Sequence, residues 1–139
     1  MIAIKIGTTE WRQAASLVQG EVEFVGSFEY EADGFTPAMV WDAGLGNVRA
    51  KSTAEKLADA KAKRIAAINA ECRARLLARY GMAEEQVSRA IGVYGAQEQA
   101  DMQAGIAATI DASNTASNAV LAAADIAAVE AVSVSWPAI

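Results

Sequence analysis

The sequence predicts an α-dominated α+β protein: a β-containing N-terminal part, an alanine-rich antiparallel helical hairpin, and a short extended C-terminal tail. Three observations carry this. Ile2, Ile4 and Ile6 alternate with Ala3 and Lys5 at the period of a half-buried strand. Ser52-Thr53-Ala54-Glu55 is a capping box ahead of a long helical stripe. Finally, 33 of the 139 residues are alanine, against nine aromatics. Alanine is the best helix former but buries little apolar area. The helices therefore need further burial, against the β-rich part or another subunit.

Taken in order, residues 1–50 read as β-rich with loops. After the first strand, Glu10 to Gln19 is expected to form a short helix following Thr8 or Thr9. Val22, Phe24, Phe28 and Tyr30 share one parity and predict a second strand, bulged at Gly26. Ala32-Asp33-Gly34 is a turn signal, and Ala38–Asp42 with Asn47–Ala50 predicts a hairpin around Gly44-Leu45-Gly46. A phosphate-binding reading of Gly44-x-Gly46 lacks the Lys-Ser/Thr it would need, so a plain turn is expected.

Residues 51–139 read as helical. In the first helix Leu57, Ile65, Ile68, Cys72, Leu76 and Tyr80 follow one stripe, and Gly81 is placed to close it in the left-handed conformation. Asp59 with Lys63 and Glu71 with Arg75 stand at i,i+4 in the favourable acid-first order. Glu84 and Glu85 suit the first turn of a short helix carrying Val87, Ile91 and Tyr94, which Gly92 and Gly95 end or bend. A long helix is expected from about Ala96 to about Ala124, its larger apolar residues being Met102, Ile106, Ile110, Val120 and Leu121. Asp125 is the expected N-cap of a last short helix ending near Ala131. Val132 to Trp136 then alternates in strand fashion before Pro137.

Composition narrows function more than it names it. The chain has no histidine and one cysteine, Cys72. Triads that use histidine, His-ligated metals, thiolate clusters and an internal disulfide are thereby excluded. Neither a catalytic residue nor a cofactor or metal ligand set stands out, and a non-enzymatic role is expected. The N-terminus has no basic n-region and no sustained apolar run, so no signal peptide is read. No uncharged stretch approaches the length of a membrane span.

Net charge is −5 overall but segregated. Residues 1–50 hold three basic and seven acidic side chains; residues 51–80 hold eight and three; residues 81–139 hold one and seven. The basic helix is expected to face acidic neighbours. Its Lys56, Lys61, Lys63, Arg64, Arg73, Arg75 and Arg79 wrap around the helix without interleaved aromatics, a poor pattern for nucleic acid.

The segment Lys63-Arg64-Ile65-Ala66-Ala67-Ile68-Asn69-Ala70-Glu71-Cys72 resembles a recurring stretch of small phage tail proteins, a family of tail-fibre-associated, tail-fibre assembly and baseplate-appendage proteins. An upstream aromatic segment (Phe35–Asp42), the alanine-rich second helix and the Val132–Pro137 tail are similar too. The likeness covers roughly residues 35–139 and brings no catalytic motif. It implies a structural component of the virion, in the tail, tail-fibre attachment or baseplate, made in the host cytoplasm. It also implies a homo-oligomer docking to other tail or fibre proteins. An assembly chaperone absent from the finished particle is an alternative, as is a nucleic-acid accessory using the basic helix.

Candidate interaction residues follow. Leu57, Ile65, Ile68, Cys72, Leu76, Ile106, Ile110 and Leu121 form the expected helix-packing stripes, with Cys72 read as a small buried hydrophobe. Trp11, Trp41 and Trp136 are the expected docking anchors, with a sugar-stacking platform as the alternative reading of the three.

Overall fold

A computed structural model describes residues 1–81, 88 and 91–138. The chain is α+β and helix-dominated, with small antiparallel sheets followed by two long packed helices. It divides into two compact units, Met1–Lys56 and Leu57–Ile139.

In the first unit, β1 (Ile2–Lys5) is the centre of a three-stranded antiparallel sheet between β2 (Trp11–Gln13) and β3 (Glu21–Phe24). The expected helix over Glu10–Gln19 is not formed. Instead, Ile4 pairs with Trp11, and Ala3 with Arg12. Arg12 then reaches across β1 to Glu21, with both guanidinium contacts at 2.7 Å. Three residues suffice for this strand because its cross-strand partners, not helix propensity, hold it. The strand expected to continue through Tyr30 stops at Phe24. Gly26 has φ +133°, and Tyr30 makes only an isolated bridge to Pro37.

The hairpin of β4 (Met39–Asp42) and β5 (Asn47–Ala50) forms as expected. Its turn is built by Asp42, whose Oδ1 accepts from the Leu45 amide while its carbonyl accepts from Gly46, itself at φ +65°. Met39 and Val48 of the hairpin bury against Ile4, with Ile2, Val22, Phe24, Phe28 and Trp41 around them. Asp33 organises the preceding turn by accepting from the Phe35 and Thr36 amides.

Helix α1 (Thr53–Tyr80) starts at the predicted box: the Glu55 amide donates to Ser52 Oγ and the Ser52 amide to Glu55 Oε1, both at 3.2 Å. Arg49 adds a 2.7 Å ion pair to the same Glu55 oxygen and a 2.9 Å pair to Asp42, tying β5 to the first helical turn. The Arg49 guanidinium holds both Asp42 and Glu55 below the usual carboxylate range. Gly81, at φ +77°, closes the helix by donating to the Leu77 carbonyl.

In the second unit, α2 (Ala96–Ala122) runs antiparallel to α1. Lys61 Nζ donates to the Leu121 carbonyl at one end, Ile68 meets Ala116 and Val120 in the middle, and Tyr80 lies over Gly105 at the other. The last turn of α2 has no basic residue of its own, so Lys61 supplies the cation its dipole favours. Asp125 caps α3 (Ile126–Ala131) by accepting from the Ala128 amide at 2.7 Å. Residues 132–138 follow α3 and pair with no strand among the described residues. Val132, Val134 and Trp136 pack on the Ile68–Val120 core, while Ser133 and Ser135 are exposed. The expected first turn at Glu84–Glu85 and the placement of Val87 lie outside the described residues.

Candidate interaction surfaces

The hairpin seam is made largely of small side chains. On α2 it runs Met102, Ile106, Thr109, Ser113, Ala116 and Val120, a spacing of alternating four and three residues. Thr109 and Ser113 are buried and satisfied within the hairpin. Thr109 Oγ1 donates to the Gly105 carbonyl at 2.8 Å, and Ser113 Oγ lies 3.4 Å from Asn69 Oδ1. Opposite them on α1 are Ile68 and Cys72, both buried, the Cys72 thiol 3.9 Å from the Thr109 carbonyl. Small residues let the two backbones approach closely, and the hydroxyls cost little because each has a partner.

Of the eight expected stripe residues, Ile68 and Cys72 lie buried in the seam, and Leu57, Ile65, Leu76 and Ile106 are half-buried. Ile110 and Leu121 do not pack in the hairpin: they are 41% and 59% exposed. Each is one residue past a seam position, Thr109 and Val120, and so is rotated by about 100° out of the contact.

That rotation gives the hairpin two unlike sides. On one, the tail fills the groove between the helices: Arg64 Nη2 donates to the Val132 carbonyl at 2.7 Å, and the Arg75 guanidinium sits 4.9 Å from the Trp136 ring centroid. Trp136, an expected anchor for another chain, here lies on its own hairpin. The described residues of this unit leave the other side uncovered. There a shallow groove of about 370 Å³ is lined by Asn69, Arg73, Leu76, Leu77, Ile110 and Asn114. Leu77 is exposed, and Leu121 follows Ile110 on the same side of α2 about three turns further on.

The first unit carries a separate aromatic cluster. Trp11, 41% exposed, lies 5.4 Å from the Phe28 ring, which also touches Phe24 at 5.9 Å and Tyr30 at 5.8 Å. The rings are tilted by 33° to 84°, the geometry of edge and offset packing rather than of a flat stacking surface. Trp41 is half-buried in the same core. Within this unit Trp11 and Trp41 therefore serve in ring and core packing rather than in a flat stacking surface. Thr109, Ser113, Ala116 and Val129 are contributors that the sequence did not single out as contacts.

Three basic side chains of α1 are used within the unit: Lys61 and Arg64 on backbone carbonyls, and Arg75 on Glu71 and Trp136. Among the described residues, no group of three or more acidic or cysteine side chains is placed to hold a metal ion. Nor is any described helix long and apolar enough to cross a membrane. Compared with known proteins, the chain matches no family model, no curated protein sequence and no solved structure.

Proposed function

We propose that the chain is a structural component of a bacteriophage virion, in the tail, tail-fibre attachment or baseplate, acting by docking to neighbouring subunits. The observation that carries the docking part is the side of the hairpin that the described residues of its unit leave uncovered. Its larger apolar side chains, Leu77, Ile110 and Leu121, stand in solvent while small residues fill the seam. Placing such residues outside has a purpose if another helix or a second copy covers them. The virion assignment is supported by the resemblance of Lys63–Cys72 and the Val132–Pro137 tail to small phage tail proteins. The test is mass spectrometry of purified particles from the source that encodes the chain. The protein is expected at a fixed copy number per particle. Its presence in assembly intermediates but absence from finished particles would replace this reading with an assembly chaperone.

The nucleic-acid reading is the weaker one, because Lys61, Arg64 and Arg75 are engaged inside the unit. If it were right, a shift with DNA or RNA at low salt would weaken steeply as salt rises.

A further inference from the structure

We infer that the C-terminal arm, α3 with the tail, exchanges between two copies of the chain by straightening the α2–α3 break into one continuous helix. The inference deepens the reading of the chain as an assembling subunit and rests on it for its purpose. Its physics comes from the break itself.

The stretch Ala119–Ala131, AVLAAADIAAVEA, contains neither glycine nor proline and is rich in the best helix former. The local signal for a break after Ala122 is Asp125, the N-cap of the next helix. Ala123 is extended (φ −64°, ψ 137°) and so is Asp125 (φ −151°, ψ 172°). The break is held by two things: the Asp125 cap on Ala128, and burial of Val129, Val132, Val134 and Trp136 against Ile68, Ala116 and Val120. Both lie in the arm, and the second is available equally on another copy.

Direction decides the partner. The tail runs from Arg64, at Val132, to Arg75, at Trp136, so it is parallel to α1 and opposite to α2. Within one copy the chain must turn back after α2. If the break becomes helical, α2 gains nine residues, about 14 Å at the usual rise, and carries the tail straight onward. A second copy placed end to end by a two-fold axis presents its α1 running in that same onward direction. The arm then enters the second copy's groove beside its Leu57 end and makes the contacts it makes at home. The second copy's arm does the reverse, so the interface is closed.

The test uses the full chain and two substitutions at the break. Asp125→Ala removes the cap and favours the straight helix. Ile126→Pro suits the first position of α3 but forbids a continuous helix, since proline there would lack the amide that must reach Ala122. Mass is measured by light scattering over a wide range of protein concentration. Asp125→Ala is expected to lower the dissociation constant of the dimer by at least about tenfold, and Ile126→Pro to raise it by as much, with tail burial retained as judged by Trp136 fluorescence. If Ile126→Pro does not fold, Ala124→Gly, which disfavours helix at the break without removing a contact, takes its place with the same expected direction. Identical masses for the parent and both variants at every concentration would overturn the inference. That result would leave the chain's presence in particles untouched, so the two readings fail separately.

Discussion

Gly105→Ala sets two effects of opposite sign against each other and reads out the closeness of the seam. In an exposed helix interior, Gly→Ala stabilises by about 1 kcal/mol, because alanine loses less backbone freedom on folding. At Gly105 a Cβ would overlap the Tyr80 hydroxyl and come within 2.9 Å of its ring carbon Cζ. Tyr80 is 5% exposed, so its ring cannot swing aside without leaving the seam. Overpacking of this kind costs about 1–3 kcal/mol. We expect the upper part of that range, because the obstacle is a confined ring and not the free end of a flexible chain. The net is a destabilisation of about 1–2 kcal/mol, or a fall in Tm of several degrees. Urea unfolding followed by far-UV circular dichroism reports the helical unit. In a Tyr80→Leu background the obstacle is gone, and Gly105→Ala should revert to stabilising by about 1 kcal/mol, a coupling a double-mutant cycle measures directly. The reasoning fails if Gly105→Ala stabilises the parent chain, or if its effect is the same with and without the Tyr80 ring.

Other consequences follow from the same contacts. Asp42 and Glu55 are both held below the usual carboxylate range by Arg49. Their contribution is therefore present above about pH 4–5 and lost as pH falls through their lowered values, and Arg49→Met should flatten this acid dependence in fluorescence-monitored unfolding. An unchanged slope would remove the Arg49 bridge from the account. Trp136→Ala should destabilise the helical unit by roughly 2–3 kcal/mol, less than for a fully buried tryptophan, because the ring is half-buried; a loss below about 0.5 kcal/mol would mean that the tail does not hold. Ile68→Ala, at the centre of the seam, should cost about 3–4 kcal/mol in the same urea assay, whereas Ile110→Ala should cost under about 1 kcal/mol; equal costs would contradict the two-sided hairpin.

Helix boundaries were legible wherever side-chain chemistry fixes the backbone. The Ser52–Glu55 box, Gly81 and Asp125 each mark an end through a hydrogen bond or a left-handed residue that the sequence names directly. The Gly44–Gly46 hairpin was legible for the same reason. What was not legible depends on partners distant in sequence. Trp11-Arg12-Gln13 has no strong local preference, and only pairing with Ile2–Ile4 and the reach of Arg12 to Glu21 make it a strand. In α2, a search for the largest apolar residues selects Ile110 and Leu121, which the hairpin leaves exposed. The seam instead follows the alternating four-and-three spacing through Thr109, Ser113 and Ala116. Against an alanine background that spacing was the usable signal, and hydrophobicity alone hid it because two seam residues carry hydroxyls. The contacts of the tail were half legible: Val132, Val134 and Trp136 alternate as a strand should, but nothing local says that they lie on helices.

The central claim is that the uncovered side of the hairpin is a docking surface. The most direct test is the solution mass of the full chain, by size exclusion with light scattering, beside the Ile110→Glu/Leu121→Glu variant, both carrying Ile126→Pro so that arm exchange does not contribute. The account predicts a discrete oligomer for the parent chain. It predicts a smaller species for the variant, with helical content and urea midpoint preserved, since neither residue packs in the hairpin. A parent chain that stays monomeric at every concentration, or a variant that keeps the parent's mass, would contradict it.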